Sequence, residues 1–333
     1  MRLNRLFKPF AAALMMIAAT GQAPSQEPAP PAAPSASPAA SPVEEFVAKA
    51  EALLIADDNY DAKSTAHYKV KTDDPRFNVA AAADLLESFR QFFDSFWSSR
   101  TELRPYDEPS RILLFFSRYK YKQLMPGSLD VGATTRVGHY QPYFDIVALH
   151  TDTVGPEDFP ELLVHEAAHQ LVTRRIFGPD DYPSPWVSEG LADYMGNTLR
   201  GADGKFQPGR IGGKGTSLFK GSKGSSKRMG WPEVRAYRAS LKKEDALTID
   251  EVVRTSNPDA FYDASSIERY TASWLLVHFL LHADGGSHSE AFIRHLRHDA
   301  AGEGGAEMLY RDLGMSREQL DSSFRAYIKD LAP

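Results

Sequence analysis

The sequence contains no cysteine among its 333 residues. The chain can therefore form no disulfide, and it lacks the thiol to which bacterial lipoproteins attach their lipid. Basic residues are also few: 38 Lys and Arg stand against 44 Asp and Glu, and the net charge at pH 7 is −6. This balance offers no electrostatic basis for binding nucleic acid, and we expect no such partner.

The sequence also lacks an apolar run long enough to span a bilayer. The apolar run Phe10–Ala19 is too short, and it follows three positive charges in residues 1–8. This pattern is typical of a signal peptide. We expect residues 1–23 to be a signal peptide cleaved near Gly21 or Ala23, the alternative being an uncleaved anchor. The mature protein would then be exported, periplasmic or secreted in a bacterium, with no stable insertion in the membrane.

Residues 24–42 consist almost entirely of Pro, Ala, Ser, Gln and Glu. A segment of this composition has little apolar surface to bury, so we expect a disordered and partly extended linker. The folded part then begins near Val43 and contains about 290 residues, enough for one large domain or two fused lobes. We expect an αβ lobe over 43–155 and a mainly helical lobe over 156–333, which together give an α+β fold.

The first of these lobes mixes helical and extended patterns. In chain order the patterns predict a helix over 44–56, a strand over 66–72, a helix over 79–97, a strand over 111–117 and a hairpin over 138–150. After residue 156 the periodicity is mostly helical. The sheet is therefore expected in the part of the chain that precedes this residue.

The motif with the most chemical content follows the hairpin. Residues 159–177 have the periodicity of a helix that ends at Gly178. His165 and His169 are four residues apart and share one face of this helix, where both imidazoles can bind the same Zn²⁺. Glu166 follows the first histidine and lies within reach of a metal-bound water. The alternative is that both histidines are ordinary polar residues of a half-buried helix.

A second helix is predicted from Ser184-Pro185 to about Leu199. Glu189 and Asp193 share one face of it, among mainly apolar neighbours. A buried carboxylate is unfavourable unless it is paired or bound to a metal. We therefore predict Glu189 as the third zinc ligand and Asp193 as the acceptor of an N–H from a ligand imidazole. Three protein ligands leave one position open, as in catalytic zinc sites.

These two segments resemble the gluzincin branch of the zincin (clan MA) metallopeptidases. The likeness rests on His165-Glu166-x-x-His169 and on Glu189-Gly-Leu-Ala-Asp193, which nineteen residues separate. The longer form Trp-Val-x-Glu-Gly-Leu-Ala-x-Tyr is most similar to bacterial exported peptidase-MA-like proteins of unknown function. The resemblance therefore indicates a family of zinc hydrolases rather than one substrate.

The specific motifs of this resemblance cover about residues 158–199, and a looser likeness extends over 65–285. Two other branches of zinc peptidases fit less well. The metzincin pattern requires Gly and His where this chain has Val172 and Arg175. The Gly-x-Met-Glu-Asn signature with which aminopeptidases hold a substrate amine is absent, so the resemblance supports the metal chemistry without indicating exopeptidase specificity.

The resemblance implies a zincin-like fold, the metal-site roles already assigned, and Glu166 as general base. It also implies that one strand of the 136–150 region lies at the sheet edge along the cleft. Such a strand binds extended substrate through main-chain hydrogen bonds. In the family a downstream Tyr or His stabilises the oxyanion. Tyr270 is the first candidate here, with Tyr262 and His278 as alternatives.

Two further patterns have other interpretations. Residues 201–230 are rich in Gly, Lys and Ser and include Gly212-Gly-Lys-Gly-Thr. This run lacks the spacing of a phosphate-binding loop, so we predict a mobile basic loop beside the cleft rather than a nucleotide site. His278 and His282 are four residues apart in a very apolar helix with no carboxylate between them, so we expect no second metal site there.

The sequence therefore predicts a zinc-dependent metallopeptidase that acts on peptide or protein substrates, with Zn²⁺ as cofactor. Co²⁺ or Mn²⁺ would fit the same ligands. Two alternatives remain open. The first is a catalytically silent zincin-fold protein that binds cell-envelope peptides, and the second is a zinc hydrolase of another amide or ester. The presence of Glu166 argues against the first, because a structural site needs no carboxylate there.

Overall fold

The structure, a computed structural model, describes residues 41–56, 59–124, 137–155, 158–178, 181–200, 205–209, 211, 218–219, 230–262 and 266–331. The predicted signal peptide 1–23 lies outside these residues, as do most of the predicted linker 24–42 and most of the Gly/Lys/Ser-rich segment 201–230. Of the helices in the described part of the chain, none combines the length and the apolar character needed to cross a bilayer.

Five short strands form one mixed sheet in the order β1-β2-β3-β5-β4. They are β1 (Asp61–Ser64), β2 (Tyr68–Thr72), β3 (Ser110–Phe115), β4 (Gly138–Gln141) and β5 (Ile146–His150). The central strands β2, β3 and β5 are parallel, whereas β1 and β4 run antiparallel to their neighbours. Within the described residues β4 forms one edge of the sheet. The strands predicted over 66–72 and 111–117 and the hairpin over 138–150 are confirmed.

Helices cover both faces of the sheet. Helices α2 (Val79–Ser98) and α4 (Phe159–Leu171) pack on one face, and α1 (Pro42–Ile55) and α3 (Arg118–Leu124) pack on the other. Each face of the sheet has its own apolar core. The side chains of β3 and β5 point alternately into these two cores, so both strands are almost wholly buried. This burial explains why the two strands are continuous apolar runs rather than alternating ones.

The chain after residue 156 is mainly helical. Its later helices are α5 (Pro185–Gly196), α6 (Trp231–Ser240), α7 (Ile249–Arg254), α8 (Pro258–Phe261), α9 (Ser266–His282), α10 (Ser289–Ala300), α11 (Ala306–Leu313) and α12 (Arg317–Asp330). Strands β6 (Leu199–Arg200) and β7 (Lys205–Phe206) form a second, two-stranded sheet. Helix α9 packs closely along α5, because a Cβ on Gly190 of α5 would lie 2.7 Å from the carbonyl oxygen of Ser273.

One large apolar core joins the sheet to these helices. It includes Leu86 of α2, Val147 of β5, Leu163 of α4, Leu275 of α9 and Phe324 of α12, all of which are fully buried. The same core therefore extends across the boundary expected near residue 156. A mixed sheet followed by a mainly helical part is compatible with the predicted α+β class.

Two helix boundaries differ from the prediction. The helix predicted to reach about Leu199 ends at Gly196, because Leu199 instead pairs with Phe206 in the two-stranded sheet. The helix predicted to open at Tyr270 begins at Ser266, so Tyr270 lies one turn inside α9. Apolar periodicity marks the buried face of a helix well. It marks the ends poorly, because contacts outside the helix, here the pairing of Leu199 with Phe206, help to determine where the helix stops.

Helix α4 changes its winding before it ends. It continues as a π-helical turn over Val172–Phe177 and stops at Gly178, as predicted. Gly178 has a φ of +138°, a conformation that disfavours any residue with a Cβ. The π-helical turn directs Arg174 toward the β4–β5 hairpin and Arg175 toward α2. Such turns are rare and often lie near functional sites.

Candidate metal centre

The packing of α4 determines the direction of its motif side chains. Val164, Ala167 and Ala168 are fully buried in the large core. These apolar residues fix the rotation of the helix, which turns His165 and His169 toward α5. The two histidine side chains are only 15% and 13% exposed. They therefore lie in a site that is largely screened from solvent.

Helix α5 supplies the facing side of the site. It approaches α4 closely at Gly196, where a Cβ would lie 3.3 Å from the carbonyl oxygen of Glu161. Its other side packs on α9 through Gly190. Small residues on both sides thus hold α5 between two helices. This packing places the buried side chain of Glu189 opposite the two histidines of α4.

The side chains of His165, His169 and Glu189 meet at one point. The two Nε2 atoms are 3.1 Å apart, and Oε2 of Glu189 lies 3.6 Å from Nε2 of His165 and 3.4 Å from Nε2 of His169. Ligand atoms bound about 2.05 Å from a tetrahedral Zn²⁺ are about 3.3 Å apart, so these separations are close to the edges of such a tetrahedron. Among the described residues no other three His, Cys, Asp or Glu side chains meet in this way.

Polar neighbours hold both imidazoles in place. Oδ1 of Asp193 lies 2.8 Å from Nδ1 of His165, which is the position expected of Asp193. The hydroxyl of Ser188 lies 3.0 Å from Nδ1 of His169. Because both Nδ1 atoms are engaged in this way, both Nε2 atoms are left facing the common point. The imidazole orientations are therefore fixed by partners on α5.

Carboxylates surround the two imidazoles. Burial lowers the pKa of His165, but Asp193, Glu189 and Glu166 raise it by more, so that it lies well above its usual value. Burial raises the pKa of Glu189, but the fields of His169 and His165 and their hydrogen bonds lower it by more, so that this carboxyl group stays ionised. The centre of the cluster therefore favours positive charge, which a metal cation would supply.

Glu166 brings the motif helix into contact with the edge of the sheet. Its side chain is buried, with an exposed fraction of 6%. A Cβ on Gly138, the first residue of β4, would lie 3.2 Å from Cγ of Glu166 and 2.7 Å from Cγ of Leu149. Only glycine leaves room for both side chains at this position. The candidate general base therefore lies directly against the first residue of the edge strand.

Two tyrosines lie on the α8–α9 side of the cluster. The hydroxyl of Tyr262 donates a hydrogen bond of 2.6 Å to Oε1 of Glu189. The ring centroid of Tyr270 is 6.0 Å from that of Tyr262. The structure thus brings Tyr262, named second in the sequence analysis, into direct contact with a candidate ligand. Tyr270 lies next to Tyr262 in the same aromatic group.

His278 belongs to a different buried pair. Its Nε2 donates to the carbonyl oxygen of Gly209 at 3.1 Å, and its Nδ1 accepts from the hydroxyl of Tyr327 at 2.7 Å. Nε2 of His282 lies 2.8 Å from the hydroxyl of Tyr194. Burial lowers the pKa of both histidines to about 4, so both are neutral at pH 7. Both ring nitrogens of His278 are thus engaged away from the cluster, and the structure does not bring it to the site.

Sequence analysis does not identify two residues of the site. Ser188 has no pattern that distinguishes it from any serine on a helix, and only its 3.0 Å contact with His169 shows a role. Gly138 does have a signal, because a glycine inside a predicted strand often marks a close approach of another chain segment. Comparison of the chain with protein-family models and with curated proteins gives no match.

Proposed function

We propose that the protein is a zinc-dependent metallopeptidase with a zincin-like fold, in which His165, His169 and Glu189 bind the metal. The main support is that three ligand atoms from two helices lie at the separations of a tetrahedral site. Two imidazoles and one carboxylate form the donor set of hydrolytic zinc sites, whereas structural sites use four protein ligands, often thiolates. The absence of cysteine from the chain agrees with a hydrolytic site.

The donor set also fits a metal by its chemistry. It offers two imidazole nitrogens and an ionised carboxylate oxygen, each held by a neighbouring polar group. A bound Zn²⁺ would lower the pKa of a water and polarise a carbonyl group. Co²⁺ and Mn²⁺ accept the same ligands, so the identity of the metal has to be measured.

Glu166 is the proposed general base. Water adds to the carbonyl carbon of the peptide bond, and Glu166 accepts the proton that the water loses. The C–N bond then breaks, and the same proton passes to the amine nitrogen, so that Glu166 is ionised again at the end. Two observations support this role: Glu166 is buried against Gly138 of the edge strand, and it directly follows the candidate ligand His165.

Strand β4 is the proposed binding surface for an extended peptide. The amide of His150 donates to the carbonyl oxygen of Val137 at 2.9 Å, and hydrogen-bonded pairs alternate along an antiparallel ladder. The N–H and C=O groups of Gly138 and Tyr140 therefore point away from β5, toward the edge of the sheet. A substrate strand bonded to Gly138 would pass beside Glu166, which suits peptides of varied sequence.

Tyr262 is the proposed donor to the oxyanion, in place of Tyr270. Its hydroxyl already lies at the ligand cluster, 2.6 Å from Oε1 of Glu189. A hydroxyl at that position can stabilise negative charge on an oxygen that forms beside the ligands. Tyr270 is adjacent in the aromatic group, and we propose that it supports the ring of Tyr262.

The N-terminal pattern supports export, so we propose that the substrates are peptides or proteins of the bacterial periplasm or exterior. The presence of Glu166 favours catalysis over a silent binding protein.

The test of the proposed function compares Glu166→Gln with Glu161→Gln, which removes another buried carboxylate from the same helix. Glu166→Gln is expected to keep its zinc and to lose turnover by about a thousandfold, whereas Glu161→Gln keeps both.

The substrates for this test are mixed peptides, peptidoglycan fragments and simple esters. Peptide hydrolysis at the wild-type rate by Glu166→Gln would show that the base is assigned wrongly. A zinc-loaded wild-type protein that cleaves none of the substrates would favour the silent binding protein. Cleavage of esters alone would favour a hydrolase of another class.

A further inference from the structure

A group of hydrogen bonds fastens the β4–β5 turn to the motif helix. Oδ1 of Asp145 accepts from Nε2 of Gln170 at 2.9 Å, from Nε of Arg174 at 3.1 Å and from the hydroxyl of Tyr140 at 3.0 Å. Its Oδ2 accepts from the hydroxyl of Tyr106 at 2.7 Å. These five residues are called the hairpin clamp below. They join a loop, a strand, a turn and a helix through one carboxylate.

The hairpin clamp holds both the side chain and the backbone of the turn. Nη2 of Arg174 also donates to the carbonyl oxygen of Pro142 at 3.2 Å. Burial raises the pKa of Tyr106 and of Tyr140, and the charge of Asp145 raises both further. Both hydroxyls therefore remain protonated donors at any ordinary pH. The bonds to the carboxylate are thus charge-assisted, which makes them stronger than bonds between neutral groups.

The backbone of Asp145 adopts a conformation that is uncommon for a residue with a side chain. Its φ is +52°, in the left-handed region that favours glycine. A glycine would relieve this strain, but it would remove the carboxylate that accepts from Gln170 and Arg174. A strained residue persists where its surroundings hold it and its side chain has a use. Here that use is to fasten the turn.

The hairpin clamp and the active-site end of β4 lie along one helix. Gln170 follows the candidate ligand His169 directly, and Arg174 lies one turn further on. At the other end of β4, Gly138 is in contact with Glu166. Strand β4 is therefore held against the motif helix near both ends. Loss of the hold at the turn would let the strand tilt relative to Glu166.

We infer that Asp145 and Arg174 are positioning residues that set the place of the substrate-binding strand β4 relative to the motif helix. The two residues act through β4, because their bonds are to the turn and its neighbours rather than to the ligand cluster. The inference rests on the proposed function for its effect on catalysis. Its structural part, the fixed place of β4, can be tested without any activity.

The test compares Arg174→Met with Arg175→Met. The two arginines are adjacent on the π-helical turn and similarly shielded, with side chains 19% and 14% exposed. Arg175 also bonds a carboxylate, Asp94 on α2, and a backbone carbonyl, that of Arg104. Both variants thus lose equivalent bonds, but only Arg174→Met loses a bond to the hairpin.

A second pair, Asp145→Asn and Asp94→Asn, tests the carboxylate. Asparagine tolerates a positive φ, so Asp145→Asn removes the charge without new backbone strain. Each variant is compared with wild type by zinc content, thermal stability, amide hydrogen exchange over residues 138–150 and peptide hydrolysis. Hydrolysis is measured with a long peptide that can reach Tyr140 and with a short amide that cannot.

Arg174→Met and Asp145→Asn are expected to keep zinc and to exchange amides over 138–150 about tenfold faster than their controls. For the long peptide KM should rise about tenfold with little change in kcat, and the short amide should be hydrolysed as before. The inference is overturned if exchange over 138–150 is equal in Arg174→Met and Arg175→Met, or if exchange differs while the KM for the long peptide does not. If the wild type cleaves no substrate, the proposed function fails, and the exchange comparison still decides whether the hairpin clamp fixes β4.

Discussion

Replacement of Asp193 by Asn is expected to weaken zinc binding about tenfold, and replacement by Ala about a hundredfold. Oδ1 of Asp193 lies 2.8 Å from Nδ1 of His165, and its side chain is 27% exposed. A hydrogen bond to a charged group contributes about 1.5–3 kcal/mol, and each 1.4 kcal/mol changes an affinity about tenfold. Asparagine keeps an acceptor oxygen but loses the charge, whereas alanine loses both. The loss of zinc affinity should therefore lie near the lower end of this range for the Asn variant and near the upper end for the Ala variant.

The assay is competition for zinc with a chromogenic chelator at fixed pH and salt. Ser184→Ala is the control on the same helix, because its hydroxyl donates to Asp299 at 3.1 Å rather than to a candidate ligand. The control should lower thermal stability and leave the zinc affinity unchanged. If both Asp193 variants bind zinc as tightly as wild type, Asp193 does not support the ligand His165. The same conclusion follows if Ser184→Ala weakens zinc binding as much as they do.

Two other perturbations test separate parts of the site, and a third tests a buried histidine away from it. Tyr262→Phe should lower kcat about a hundredfold at unchanged zinc content, and Tyr270→Phe should lower it less. If steady-state kinetics show the larger loss of kcat in Tyr270→Phe, Tyr270 is the oxyanion donor. Gly138→Ala should lower kcat/KM for peptides at least tenfold, because its Cβ would lie 2.7 Å from Cγ of Leu149. If this variant hydrolyses peptides with the kinetics of the wild type, β4 does not bind substrate. His278 has a pKa lowered to about 4 by burial and by neighbouring His282. The unfolded chain therefore binds more protons than the folded chain between about pH 6.5 and 4. As the pH is lowered through this range, this group decreases the free energy of unfolding by at most about 1.4 kcal/mol per pH unit. His278→Gln should flatten that part of the curve in chemical denaturation, and an unchanged slope would contradict the assignment.

Much of the fold is predictable from the sequence because it depends on local periodicity. The helices over 79–97 and 159–177 and the hairpin over 138–150 follow from the spacing of apolar residues, and the structure contains all three. The end of α5 at Gly196 is not predictable in this way, because it depends on the pairing of Leu199 with β7. The π-helical turn after α4 also has no local signal.

In the candidate site, too, local spacing predicts some contacts and long-range packing determines the others. The meeting of His165 and His169 follows from helical spacing, and the apolar neighbours of Glu189 predict it as the third ligand. Its approach to the two histidines depends on how α5 packs against α4. The bond from Tyr262 to Glu189 joins residues 73 positions apart, and no local pattern selects Tyr262 over Tyr270. Long-range contacts of this kind depend on the packing of α9 against α5, which a single sequence does not encode in any short segment.

The proposed function depends on the binding of one catalytic metal ion by His165, His169 and Glu189. Its most direct test is elemental mass spectrometry of the protein expressed without the predicted signal peptide and purified without a metal-affinity tag, beside the variant His169→Ala. We predict one zinc ion per chain in the wild type and its loss in the variant. A wild-type protein that holds no metal even after dialysis against zinc would contradict the proposed metal site and favour a degenerate binding domain.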